Sequence, residues 1–255
     1  MAIRGRGGAR GDVIMIETSF WSATRRGVSH EKEGIPNQDS CMGIHFSWGD
    51  FLVLADGVGS CSESEFGSRA ACRAAAQAVN MCLRFCGKAD FSLILPLLHD
   101  LWRVFLKSNS PESARTTCLM AFTWQQKLHI ASIGDGMIAV CGDTAEQTMV
   151  LEDDKEDSFT NITDSLGHSF DPSVWHTLVL EQNAWRGVLL CSDGISEDYK
   201  TETRPLFAWS IMKHFSSMSP PHRRWALQKV LKREAPGHRD DKTMIALCWR
   251  PYDAN

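Results

Sequence analysis

Three short apolar runs each end in an aspartate beside glycine, and nothing else in the chain limits the fold as strongly. Phe51-Leu52-Val53-Leu54-Ala55 stops at Asp56-Gly57-Val58-Gly59-Ser60, Ile130-Ala131-Ser132-Ile133 runs into Gly134-Asp135-Gly136, and Gly187 to Ser192 runs into Asp193-Gly194. Nearly continuous apolar runs of this length read as buried strands. A carboxylate at the end of a buried strand is costly to desolvate unless a cation or several donors meet it. The neighbouring glycines leave the backbone bare, so an ion or phosphate can come close. Three such ends suggest a pocket of carboxylates at one end of a sheet assembly, suited to hard divalent cations that prefer oxygen ligands.

Around these runs the sequence predicts a strand beginning in Asp12 to Trp21, a polar loop from Ser22 to Asn37, and a hairpin from Cys41 to Ala55 turning at Trp48-Gly49-Asp50. Ser62-x-x-Glu65 has the pattern of a capping box. Phe66, Ala70, Ala74, Met81 and Phe85 then recur at near-helical spacing up to Gly87, a C-cap. Leu93 to Lys107 reads as a second helix, with Ile94, Leu97, Leu98, Leu101, Val104 and Phe105 inward and Pro96 in the first turn. Strands follow at Arg115 to Trp124, Lys127 to Ile133 and Met137 to Cys141, joined by turns short enough for antiparallel neighbours. Trp175 to Leu180 and Arg186 to Cys191 read as a pair. Arg204 to Phe215 and Pro221 to Arg233 read as helices, and Met244 to Trp249 as the last strand. There is no internal repeat or low-complexity linker, so the expectation is one domain over residues 12–255, with antiparallel sheets between helical layers, behind a flexible arm at 1–11.

Composition narrows the function. The chain has 255 residues, 43% hydrophobic and 23% charged, the balance of a soluble globular protein. A net charge of −4 argues against wholesale nucleic-acid binding. Nine cysteines without a Cys-x-x-Cys pair fit a reducing cytoplasm better than a disulfide framework. No apolar run approaches the roughly 20 residues that span a bilayer. The acidic stretch Glu152 to Asp157 lacks a calcium-loop pattern and reads as a solvated loop. Arg223, Arg224, Lys229, Lys232 and Arg233 fall on one predicted helix and read as a solvated face, with docking of phosphoproteins as the sharper alternative.

The series Asn37-Gln38-Asp39, Ala55-Asp56-Gly57, Thr116-Thr117, Gly134-Asp135-Gly136, Ser192-Asp193-Gly194 and Asp240-Asp241 resembles the metal-dependent serine/threonine protein phosphatases of the type-2C class. With Gly27-Val28-Ser29-His30 upstream, and Phe159 to Thr163 downstream, the chain looks most like the compact bacterial members. The resemblance implies an α+β fold, a four-layer αββα sandwich of two antiparallel β-sheets flanked by helices, with a metal cleft at one end. It also implies two Mn²⁺ or Mg²⁺ ions and a third, weaker one. By similarity Asp56 and the Gly57 carbonyl, Asp193, Asp240 and Asp39 serve the ion pair, and Asp135 joins Asp193 at the third. Asp56, Asp193 and Asp240 would then carry catalysis on a phosphorylated protein substrate, supplied by a cognate serine/threonine kinase. Asp241 would support the ligands from behind, and a monomer is expected. Thr116 and Thr117 read as packed strand residues rather than ligands.

Two departures from the family pattern matter. The Arg usual before the first acidic motif is replaced by His30, leaving His30, Arg25 and Arg26 as candidates for the substrate phosphate. Val58 stands where many relatives carry a histidine proposed as general acid. Cysteine-phosphatase, Gly-x-Ser-x-Gly, His-Glu-x-x-His and Walker signatures are all missing from the sequence. The rival reading is a phosphatase-like module that binds phosphoproteins or partners without turnover. A metal-dependent nuclease is disfavoured by the acidic net charge.

Overall fold

The computed structural model describes residues 18–152, 164–232, 239–250 and 252. Among these lie ten strands and six α-helices. In chain order they are β1 (Ser19–Arg25), α1 (Val28–Glu33), β2 (Ser40–Phe46), β3 (Gly49–Ala55), α2 (Ser64–Met81), α3 (Phe91–Leu106), β4 (Cys118–Trp124), β5 (Lys127–Ile133), β6 (Met137–Cys141), β7 (Met149–Glu152), β8 (His176–Glu181), β9 (Gly187–Cys191), α4 (Asp193–Ser196), α5 (Arg204–Ser216), α6 (Pro220–Leu231) and β10 (Lys242–Cys248). Two five-stranded sheets form, one in the order β1-β10-β9-β6-β7 and the other β2-β3-β4-β5-β8. Every pairing is antiparallel.

β3, β4, β6, β9 and β10 read as apolar runs because both of their faces are covered. Alternate residues of β3 go opposite ways. Leu52 and Leu54 join Leu119, Ile130, Val140, Leu190 and Ile245 between the sheets. Phe51, Val53 and Ala55 pack with α2 and α3 outside. The other sheet is covered by Phe207, Met212 and Phe215 of α5 and by Leu227 and Leu231 of α6. The result is the expected helix–sheet–sheet–helix layering. In α2 the buried positions are mostly alanine (Ala70, Ala71, Ala74, Ala75, Ala78), which holds the helix and lets it lie close on the sheet. Gly67 lets the segment before β4 come equally close to the helix, since a Cβ there would collide with the Ala114 carbonyl.

Several local expectations fail for physical reasons. The first strand occupies Ser19–Arg25, and Val13 to Ile16 lie outside the described residues, as do the arm at 1–11, Asp153 to Thr163 and Arg233. The supposed loop from Ser22 holds the end of β1 and the helix α1, which stops at Gly34 with φ 73°. The capping box does not form. Glu63 occupies the N-cap without a side-chain bond, and its carboxylate takes a hydrogen bond from Ser113 instead. Phe66, Phe85 and Val104 face outward, 47%, 81% and 66% exposed, and Leu95, Trp102 and Leu106 fill the inner face of α3. Because α3 starts at Phe91, Pro96 sits inside the helix, beyond its first turn. Gly87 does take the left-handed cap, φ 63°, after a π-helical turn at Cys82–Cys86. The neighbour pairs β5–β6 and β8–β9 are not hairpins, because each connection crosses from one sheet to the other.

One polar side chain is sealed into the outer core. His129 on β5 stacks on Phe122 with centroids 4.8 Å apart, and Phe91 and Trp124 close around it. Neither ring nitrogen has a hydrogen-bond partner. Burial, helped by the charge of Lys127, pulls its pKa from 6.5 down to about 4. The folded state therefore holds fewer protons than the unfolded one between these values, so stability is lost as pH falls through that window. We expect His129→Phe to gain in Tm relative to wild type between about pH 7 and about pH 4.5. A difference in Tm that does not change with pH would contradict a neutral, buried His129.

Candidate metal centre

The carboxylates come from strand ends of both sheets at one pole of the sandwich. Asp56 follows β3, Asp135 follows β5, Asp193 follows β9, Asp39 precedes β2 and Asp240 precedes β10. Asp56 is held through its backbone. Its N–H donates to Thr117 Oγ1 at 2.9 Å, and its carbonyl accepts from Thr117 N at 2.8 Å and Thr116 Oγ1 at 2.7 Å. Thr116 and Thr117 thus clamp the loop, as buried structural residues, and leave the Asp56 carboxylate to its neighbours. Gly57 packs so tightly on α2 that a Cβ would lie 2.7 Å from Ser64 Cβ.

The segment Asn37-Gln38-Asp39 is fixed residue by residue. Asn37 Oδ1 accepts from Asp39 N at 2.8 Å, and Asn37 Nδ2 donates to Thr24 Oγ1 at 2.8 Å. Asp39 Oδ2 accepts from Ser192 Oγ at 2.9 Å, while Asp39 Oδ1 is buried without a partner. Asp193 Oδ1 is likewise buried and unpartnered. An orphaned carboxylate oxygen is rare and costly, so two of them aimed into one acidic cluster fit a site for an oxygen-seeking cation.

Charge repulsion in the cluster follows. Burial and then the charges of Asp39, Asp193 and Asp240 push the Asp56 pKa well above the usual carboxylate range, and Asp56 shares a hydrogen bond with Asp193. Burial raises Asp193 to about 6, with Asp135 and Asp240 adding to it. Asp39 rises to about 7, again chiefly through burial, with the charge of Asp241 contributing. Asp135 thus sits beside Asp193, on a loop that needs Gly134 and Gly136 at φ 85° and 107°.

Asp241 is more central than the sequence suggests. It is 1% exposed, and its two oxygens accept from Gly27 N and Gln38 N, each at 2.6 Å. His30 Nδ1 lies 3.1 Å from Asp241 Oδ2, and His30, Asp240 and Asp241 each place a ligand atom within 4.8 Å of the others. Gly27 and Gly194 both abut this segment, where a Cβ would collide with the backbone of Arg239–Asp240 or with the Asp241 carbonyl. His30 is therefore at the cluster. Arg26 is exposed and turns its guanidinium to the Ile35 carbonyl, 3.4 Å away. Arg25 ends β1 opposite Lys242. Sequence reading missed Ser192 and Thr243, which exchange bonds (Ser192 N to Thr243 O 2.9 Å, Thr243 N to Ser192 Oγ 3.0 Å) and hold Asp39 in place. Nothing but the position of Ser192 beside Asp193 could have flagged them.

A family model for protein phosphatase 2C matches residues 26–232. The chain belongs to that family, and its class is that of the protein serine/threonine phosphatases. No curated protein matches the sequence. Among solved structures, a bacterial serine phosphatase superposes with a TM-score of 0.61 at 17% identity, covering 94% of this chain and 100% of its own. Serine/threonine phosphatase Stp1 from Staphylococcus aureus gives 0.60 at 19%, covering 96% and 99%. RsbX, solved in complex with magnesium, gives 0.55 at 11%, covering 91% and 94%. At these identities the likeness carries the fold: two antiparallel sheets between helices.

With Asp39 and Asp193 binding protons more tightly when folded, stability of the cation-free protein falls as pH rises from about 4, and the penalty is complete above about 7. In scanning calorimetry with chelator, Asp39→Asn should melt above wild type near about pH 7.5, with the gain shrinking toward about pH 4.5. A gain equal at both pH values would mean that Asp39 carries no repulsive charge in the fold.

Proposed function

We propose that this chain hydrolyses phosphoserine and phosphothreonine on proteins, using two Mn²⁺ or Mg²⁺ ions held at the acidic pole. The single observation that carries the reading is the convergence of Asp39, Asp56, Asp193 and Asp240, with Asp39 Oδ1 and Asp193 Oδ1 buried and paired with no N–H or hydroxyl donor. Asp56, the Gly57 carbonyl, Asp193 and Asp240 would hold the pair, supported by Asp39, and Asp135 with Asp193 would take a weaker third ion. Such ions, when bound, supply Lewis acidity toward water and toward the phosphoryl oxygens.

The chain's own residues do the positioning, which is most of what phosphoryl transfer asks of a protein. Thr116 and Thr117 fix the Asp56 loop, Ser192 orients Asp39, and Asp241 ties Gly27 and Gln38 to the turn that carries Asp240. His30, 3.1 Å from Asp241, is the candidate for the substrate phosphate that lies at the cluster, whereas Arg25 ends β1 and Arg26 faces the Ile35 carbonyl. A cytoplasmic monomer acting opposite a serine/threonine kinase is the setting that this reading implies. No helix among the described residues is long and apolar enough to cross a membrane.

The test is hydrolysis of a phosphothreonine peptide and an aryl phosphate with Mn²⁺, with chelator, and in Asp56→Asn. Turnover should vanish with chelator and fall at least about 100-fold in Asp56→Asn. Activity surviving both would refute the reading, and phosphoprotein binding without any turnover would favour a binding module. His30→Ala should raise KM for both substrates, and an unchanged KM would remove His30 from the phosphate site. In calorimetry, Mn²⁺ at 100 times its Kd should stabilise wild type by about 2.7 kcal/mol for each ion bound and Asp56→Asn by much less.

A further inference from the structure

The helical layer over the β1-β10-β9-β6-β7 sheet has an unusual charge. Residues 204–232, which span α5 and α6, contain four lysine or arginine residues besides Arg204 and the buried Arg223, and neither Asp nor Glu, although the whole chain is at −4. Not all of this charge is surface. Arg204 is ion-paired with Glu152. Arg223 is buried over the Trp21 ring, 4.8 Å from its centroid, and donates to the Met218 carbonyl at 2.6 Å. The buried stripe Arg223, Leu227 and Leu231 faces the sheet, so the helix turns Arg224, Trp225, Lys229 and Lys232 to solvent. Trp225, Lys229 and Lys232 follow one another at i, i+4 and i+7, a single stripe.

Helix stability does not explain this stripe. Lysines near the C-terminus suit the helix dipole, but Arg224 lies near the N-terminus, where positive charge is unfavourable, and the first turn holds no acid. Trp225 is 62% exposed and its face is taken by Lys229, whose Nζ lies 3.5 Å from the ring centroid. The indole therefore holds a cation over one of its faces, adding to the positive stripe. The stripe ends seven residues of chain before the acidic pole, a span of at most about 25 Å. α6 packs on β1, which ends at Arg25 beside Gly27. Lys232 is seven positions before Arg239, an exposed residue whose carbonyl accepts from Ser29 Oγ at 2.7 Å.

We propose that the exposed face of α6 binds an acidic stretch of the phosphoprotein substrate, next to the phosphorylated residue that enters the cleft. The inference rests on the phosphatase reading and names its substrate class: phosphoproteins whose phosphorylated site is flanked by Asp and Glu. Separate exposed pairs contribute weakly, so three cations give about a tenfold preference at low salt, which salt should erase.

The experiment uses the full chain with Mn²⁺ and two phosphothreonine peptides, one with acidic and one with neutral flanks. Wild type should show a KM about tenfold lower for the acidic peptide, and the combined variant Arg224→Gln/Lys229→Gln/Lys232→Gln should lose that preference. Its kcat and its aryl phosphate turnover should stay unchanged. Equal KM values in wild type, or a preference that survives in the variant, would overturn the proposal. If neither peptide is hydrolysed, the phosphatase reading fails separately, and fluorescence anisotropy of labelled acidic and neutral peptides without phosphate decides this point. Tighter acidic binding that the variant loses supports the surface, and equal binding overturns it. A single-stranded oligonucleotide or an anionic vesicle bound more tightly than the acidic peptide would overturn it as well.

Discussion

Mutual repulsion of buried carboxylates at one pole of a double sheet is the constraint that the rest of this structure accommodates. Asp39, Asp56 and Asp193 are desolvated together, and burial raises each pKa before any neighbour is counted. A cluster like this destabilises the fold near neutral pH unless positive charge offsets it. Strands buried on both faces bring their ends to one place, and a layer of alanines in α2 allows the close approach that this needs.

Asp241 shows how the cluster is held. Its carboxylate faces two backbone N–H groups and lies 3.1 Å from one imidazole. Those contacts join positions separated by 214 and 203 residues, closing Gly27 and Gln38 onto the segment before β10. Charge-assisted bonds to backbone N–H groups are among the stronger ones available to a carboxylate. Asp240, the next residue, is exposed, so the same turn provides one buried acid for architecture and one accessible acid, the proposed cation ligand.

Much of this is legible in the sequence, and the illegible part has a common cause. A strand that stops at Asp-Gly announces its own end, which is why Asp56, Asp135 and Asp193 could be placed before any coordinates. Local spacing does not say which sheet a strand joins. The short links after β5 and β8 read as hairpins, yet both cross the sandwich. Periodicity likewise marks apolar residues without saying that they are covered, and Phe85 and Val104 are not. Ser192 and Thr243 carry no signal of their own, because their role exists only once β9 and β10 are side by side. The basic run on α6 is visible as a run, but the burial of Arg223 under Trp21 is a tertiary fact.

The central claim is that these carboxylates meet around doubly charged cations rather than around one another. Anomalous diffraction from crystals grown with Mn²⁺ tests it most directly. The account predicts manganese peaks in the space bounded by Asp56, Asp193 and Asp240, with the Asp56–Asp193 contact broken. Crystals saturated with Mn²⁺ that show no peak there, and the two carboxyls still hydrogen-bonded to each other, would contradict it.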